Sequence, residues 1–228
     1  MEFVGLDEVW SELSRRGIVE TRGTDGEVEL SIDVETGLDA ARIGGGRGEN
    51  ARRPCILELG IGAQGEWAID VDSEKAAATL EAILHKLHLA PIYLIPVARW
   101  RNIFDVVSFG LAKNAHWQDI EAQACLELNT RDALECGLRD FHTVREVVAT
   151  LLIDSEDLSG TSSTVGSPTE KHNGLMIVAT GQLIVARVCP RRPIRVEIAS
   201  RKVADNVRDA ANHFLAGRGE THLGDVRG

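Results

Sequence analysis

Four carboxylates and one imidazole fall within a short reach of chain: Glu127, Asp132, Glu135, Asp140 and His142. A carboxylate within hydrogen-bond reach of an imidazole forms an acid–base pair, so Glu127, Asp132 and His142 are the candidate catalytic set of a small hydrolase or transferase. Cys125, Cys136 and His142 are thiol and imidazole donors, but their spacing matches no tetrahedral zinc pattern and no second close pair completes it. His85 and His88, three residues apart on a helix-forming segment, lack a third ligand at a matching interval, and His116 opens another such segment. The competing reading makes Glu127 and Glu135 solvent-facing strand residues, Asp140 a helix cap and His142 a first-turn residue, and the spacing favours it. No H-E-x-x-H, G-x-S-x-G or G-x-x-x-x-G-K-[ST] occurs in the chain. The expectation is therefore no metal, no cofactor and no assembled catalytic set.

The stretch "CILELGIGAQGEWAIDVDSEK", Cys55 to Lys75, carries Gly60, Gly62 and Gly65 in G-x-G-x-x-G spacing after an apolar run. It resembles the "LELGxGxG" opening of the Rossmann-like methyltransferases that use S-adenosylmethionine. That resemblance implies a helix beginning at the glycines, whose N-terminal N–H groups hold the ligand. The acidic residue for the ribose should follow about 20 residues later. Here Asp70 and Asp72 follow Gly62 too soon for a turn, a helix and a second strand. Trp67, Ile69 and Val71 alternate with Ala68, Asp70 and Asp72 as a strand does. The reading is two strands joined through "GIGAQG" as a hairpin, the glycines supplying positive φ, followed by a helix capped at Ser73.

Two further groups are candidate binding residues. "RWRNIFDVVSFGLA" places Trp100, Ile103, Phe104, Val107 and Leu111 on one helical face, which is core or, through Trp100 and Phe104, a partner surface. "ARVCPRRPIRVEIASRKVADNVR" holds Arg187, Arg191, Arg192, Arg195, Arg201, Lys202 and Arg208 against only Glu197 and Asp205. Pro190 and Pro193 cannot donate to a ladder, so "CPRRP" is a loop or strand boundary. Such a basic loop grips an acidic protein face, phosphate or nucleic acid, or pairs with the chain's own acidic half, within one copy or across a homodimer.

The elements that must position these residues follow from periodicity. Leu6, Val9, Trp10 and Leu13 make one helical face over 6–16, and "EVELSIDV" alternates as a strand. Residues 35–53 form a long loop with three consecutive glycines. A helix follows over 74–89, with Ala77, Leu80, Ile83, Leu84 and Leu87 as its stripe. "IYLIPVA" is a strand that Pro96 confines to an edge or a strand end. Two helices come next, the second capped by Asn114. Ala124, Leu126 and Leu128 alternate as a strand that turns at "NTRD" and returns through Ala133 to Cys136, before a helix over 141–153. "GLMIVATGQLIVARV" is a hairpin around Thr180-Gly181, "IRVEIAS" another strand, and 201–216 a helix. Three ββα units, at about 55–89, 124–153 and 175–216, therefore suggest themselves. The fold class is α+β: mixed, largely antiparallel sheet with hairpin-then-helix units packed by helices. The polar segment 155–174 reads as a flexible loop and the last dozen residues as a frayed tail. The domain reading is an acidic N-terminal lobe, 1–98, and a C-terminal lobe, 99–228, or one continuous domain.

Charge narrows the function classes. The net charge of -10 is uneven: residues 1–90 carry 9 basic and 18 acidic side chains, 91–160 carry 6 and 11, and 161–228 carry 10 and 6. An acidic N-terminal half repels phosphates, which disfavours general nucleic-acid binding. No apolar run approaches the roughly 20 residues that cross a bilayer. The start lacks a signal-peptide pattern, and scattered cysteines suit reduced thiols in a cytoplasmic protein. The element order helix, three strands, helix resembles the small acidic chaperones of bacterial secretion systems, at the level of fold and with no shared motif. The functional expectation is a non-catalytic adaptor or chaperone-like accessory protein that binds another protein. The alternatives are the acid–base enzyme above, and phosphate or nucleic-acid binding through the Arg191–Arg195 loop.

Overall fold

The central strands are apolar on both sides, so one sheet buries two faces. The computed structural model describes residues 1–22, 28–33, 54–108, 110–126, 132–153 and 173–217. Chain order begins with β1 (Glu2–Val4), α1 (Leu6–Arg15), β2 (Ile18–Arg22), β3 (Val28–Ile32), β4 (Cys55–Leu59) and β5 (Trp67–Ile69). It continues with α2 (Ser73–Lys86), β6 (Ile92–Pro96), α3 (Trp100–Val107), α4 (Ala115–Leu126) and β7 (Ala133–Cys136). A short 3₁₀ turn at Leu138–Asp140 leads into α5 (Phe141–Leu152), and β8 (Leu175–Ala179), β9 (Ile184–Val188), β10 (Ile194–Ile198) and α6 (Arg201–Gly217) complete it.

Eight strands form one sheet in the order β1-β7-β6-β8-β9-β10-β4-β5, and β2 and β3 form a separate antiparallel pair. The large sheet is antiparallel except at β4–β5. The architecture is therefore α+β with a mixed, largely antiparallel sheet packed by helices. Strands from both sides of residue 98 interleave in it.

One face buries Leu57, Leu59, Leu94, Ile177, Ala186, Val196 and their neighbours beneath all the helices except α1. The opposite face meets α1 and the β2–β3 pair through Val9, Leu13, Ile18, Leu30, Ile32, Ile95, Met176, Val178 and Val185. Each fully buried Leu, Ile or Val contributes roughly 1.5–3 kcal/mol of transfer free energy. Arg16 also ties this second layer down by donating from Nη1 to the Thr180 carbonyl at 2.8 Å.

The helix over 6–16 and the strand around 28–32 fall where periodicity places them, as do the hairpin at Thr180-Gly181 and the final helix. Pro96 closes β6 as its last residue, although β6 lies inside the sheet between β7 and β8. The short strands β1 and β2 carry no alternation long enough to be read from sequence.

Three expectations are corrected. Residues 124–126 are helical, not a strand, because Trp117, Ile120 and Ala124 share one buried face of α4. The second ββα unit is therefore absent, leaving β7 paired with β1 and β6. Glu127 to Arg131, with most of "NTRD", lie outside the described residues, as do 35–53, 155–172 and the tail. The helix after the glycine stretch is capped by Asp72 rather than Ser73: its carboxylate accepts from the Lys75 N–H at 2.8 Å.

The third correction concerns β4 and β5, which are parallel neighbours (Leu57↔Trp67, Leu59↔Ile69) rather than a hairpin. The chain doubles back between them and re-enters in the same direction. The Gly60 N–H donates to the Ile69 carbonyl at 3.0 Å. Side chains hold the returning loop, Asp70 accepting from Gly62 N–H at 3.1 Å and Glu58 from Gln64 N–H at 2.9 Å. All three glycines take positive φ, as their spacing implies, and no helix starts at them.

Candidate functional site

The separation of the basic residues follows from the register of β9 and β10. Arg195 lies directly opposite Arg187 on β9 and opposite Glu58 on β4. Arg191 and Arg192 sit in the turn between the two strands, closed by Arg192 N–H to the Cys189 carbonyl at 3.3 Å. Pro190 presets the first corner, and Arg191 takes the second at φ 57, a left-handed conformation that usually selects glycine. Holding arginine there costs about 1 kcal/mol. Arg201 and Lys202 start α6 at the far end of β10 and do not join this group. Arg201 lies over the Trp67 ring at 4.7 Å and pairs with Glu66 at 3.3 Å.

Arg187 and Arg195 line a cleft of about 270 Å³ with Glu29, Leu30 and Ser31 of β3, Met176, Val185 and Glu197. Like charges directly opposed across a ladder destabilise it, so the pair needs anions nearby. Glu29 pairs with Arg187, and Glu197 approaches Arg195 at 3.4 Å. Glu197 does more: its other oxygen accepts from Ser31 Oγ at 3.0 Å and from the Ile32 N–H at 3.2 Å. That carboxylate clamps β3 to the large sheet. Burial opposes the charge on Arg187, but Cys189 and Glu29 more than offset it and hold its pKa above the usual arginine value. Its Nε is buried without a hydrogen-bond partner among the described residues.

The anticipated pairing of these arginines with the acidic N-terminal part of the chain is thus present at Arg187–Glu29 and Arg201–Glu66. Beside the turn, Gly60 packs so closely on Pro193 that a Cβ would sit 3.2 Å from its Cα. The adjoining Ile61 is 69% exposed, the most exposed large apolar side chain among the described residues.

The aromatic helix is placed differently from a partner surface. Trp100 and Phe104 are buried, in a ring series running Phe3–Trp100–Phe104–Trp117 with centroids 5.2–5.8 Å apart. Trp100 Nε1 donates to the Asp132 carbonyl at 2.6 Å. This face of α3 is core, and neither side chain is offered to a partner.

Asp132 and His142, the two acid–base candidates among the described residues, are not paired with each other. Glu127 lies outside the described residues. Asp132 precedes β7 and His142 follows it, so the strand separates them, and no ion pair joins them. His142 is exposed, its ring nitrogens 4.0 Å from Glu81 and 3.8 Å from Glu146. Asp140 stands at the N-cap position of α5, as its place in the sequence suggests, but makes no capping hydrogen bond to that helix. Its carboxylate accepts from the Gly137 N–H at 2.8 Å and the Met1 ammonium at 3.1 Å, and meets His116 Nε2 at 3.1 Å. Burial alone would raise the Asp140 pKa, but these partners hold it below the usual aspartate range. Burial drives the Cys136 thiol well above its ordinary pKa, so it stays protonated and unreactive. Among the described residues no three His, Cys, Asp or Glu side chains are grouped to hold a metal ion.

No protein-family model, curated protein or solved structure matches the chain. No helix among the described residues is long and apolar enough to cross a membrane.

The cleft was half-visible in the sequence. Arg187 and Arg195 stood out as cations, whereas Glu29 and Ser31 gave no signal, because only the docking of β3 on β9 and β10 brings them there.

Proposed function

We propose that this protein is a non-catalytic adaptor that binds an acidic segment of another protein through the arginine-bearing end of its sheet. The observation that supports this most is the convergence of Arg187, Arg191, Arg192 and Arg195 on β9, β10 and their turn. They gather in a chain whose net charge is -10. A local cationic patch on an anionic molecule steers an acidic partner to one place while the remaining surface repels it elsewhere. The exposed Ile61 beside the turn adds an apolar contact next to the charges. The same overall charge opposes a polyphosphate backbone, which spreads its contacts over a wide surface.

The test is affinity capture from the native host with the wild-type chain and with an Arg191→Glu/Arg192→Glu variant. The adaptor reading expects a stoichiometric protein partner on the wild type and its loss from the variant. No such partner on the wild type, equal retention by both chains, or release of the bound material by nuclease would each overturn the reading.

A further inference from the structure

We draw no further inference here: the strongest candidate, the cleft between β3 and the β9–β10 pair, carries nothing, because Glu29 and Glu197 already neutralise Arg187 and Arg195 and nothing in the structure shows what would occupy it.

Discussion

At the scale of single residues, backbone conformation and buried charge carry the sharpest predictions. Gly60 combines φ 134 with a close approach to the backbone of Pro193. An alanine there meets both the left-handed penalty and a contact that backbone atoms cannot easily relieve. Gly60→Ala should therefore destabilise the fold by about 2 kcal/mol, seen as a lower urea midpoint. Asp140 makes a prediction in pH. Its folded pKa is depressed, so its contribution is fully present above the unfolded value of about 3.9 and is lost as pH falls through the folded value. The stability gap between wild type and Asp140→Asn should be widest near pH 6 and shrink towards pH 2.5. A gap that stays constant would show that the Gly137, Met1 and His116 contacts do not depend on the ionised carboxylate. None of these roles is legible from residue type alone. Gly60 belongs to a motif whose spacing first suggests phosphate, and Asp140 to a position that first suggests a helix cap. In both cases the deciding partner is remote in sequence, at Pro193 and Met1.

At the scale of elements, Glu197 decides whether β3 stays on the large sheet. It is 13% exposed and accepts from Ser31, Ile32 and Arg195 together. Hydrogen bonds to a charged group are worth about 1.5–3 kcal/mol, and Glu197→Ala leaves the Ile32 N–H without its acceptor. The variant should lose about 2 kcal/mol in equilibrium unfolding; a change within 0.5 kcal/mol would mean the apolar contacts of Leu30 and Ile32 suffice. Much of the element pattern could be read from sequence where the period was long: the stripes of α1, α2 and α3, and the β8–β9 hairpin with its Thr180-Gly181 turn. Reading failed where two structures share one pattern. An apolar run, glycines and a second run describe a hairpin and a parallel return equally well. The return is held by the hydrogen bonds of Gly60 to Ile69, Gly62 to Asp70 and Gln64 to Glu58. Parallel neighbours are usually linked by a dozen or more residues, so the short link itself argued for the wrong answer. At 124–128 the alternation outweighed the helical face that Trp117 and Ile120 had already begun.

At the scale of the whole molecule, the two faces of the sheet are unequal. Among the described residues, the helix-covered core holds 43 buried side chains and the core beneath α1, β2 and β3 holds 13. Stability is not uniform across such a structure; the layer with less burial opens first, at a free energy below global unfolding. The smaller layer is joined to the sheet by that apolar patch and by polar ties at its rim, namely Glu197 to β3, Glu29 to Arg187 and Arg16 to the Thr180 carbonyl. Native-state amide exchange should therefore report two levels. Amides of β8 and β9 should exchange only on global unfolding, whereas those of β2 and β3 should exchange at a lower free energy and with a smaller denaturant dependence. Glu197→Gln should lower the second level and leave the first in place, because β8 and β9 keep their neighbours on both sides. If all these amides instead exchanged together and moved together in the variant, the two layers would form one cooperative unit. The cleft beside β3 would then be a fixed groove rather than the boundary of a layer that opens on its own.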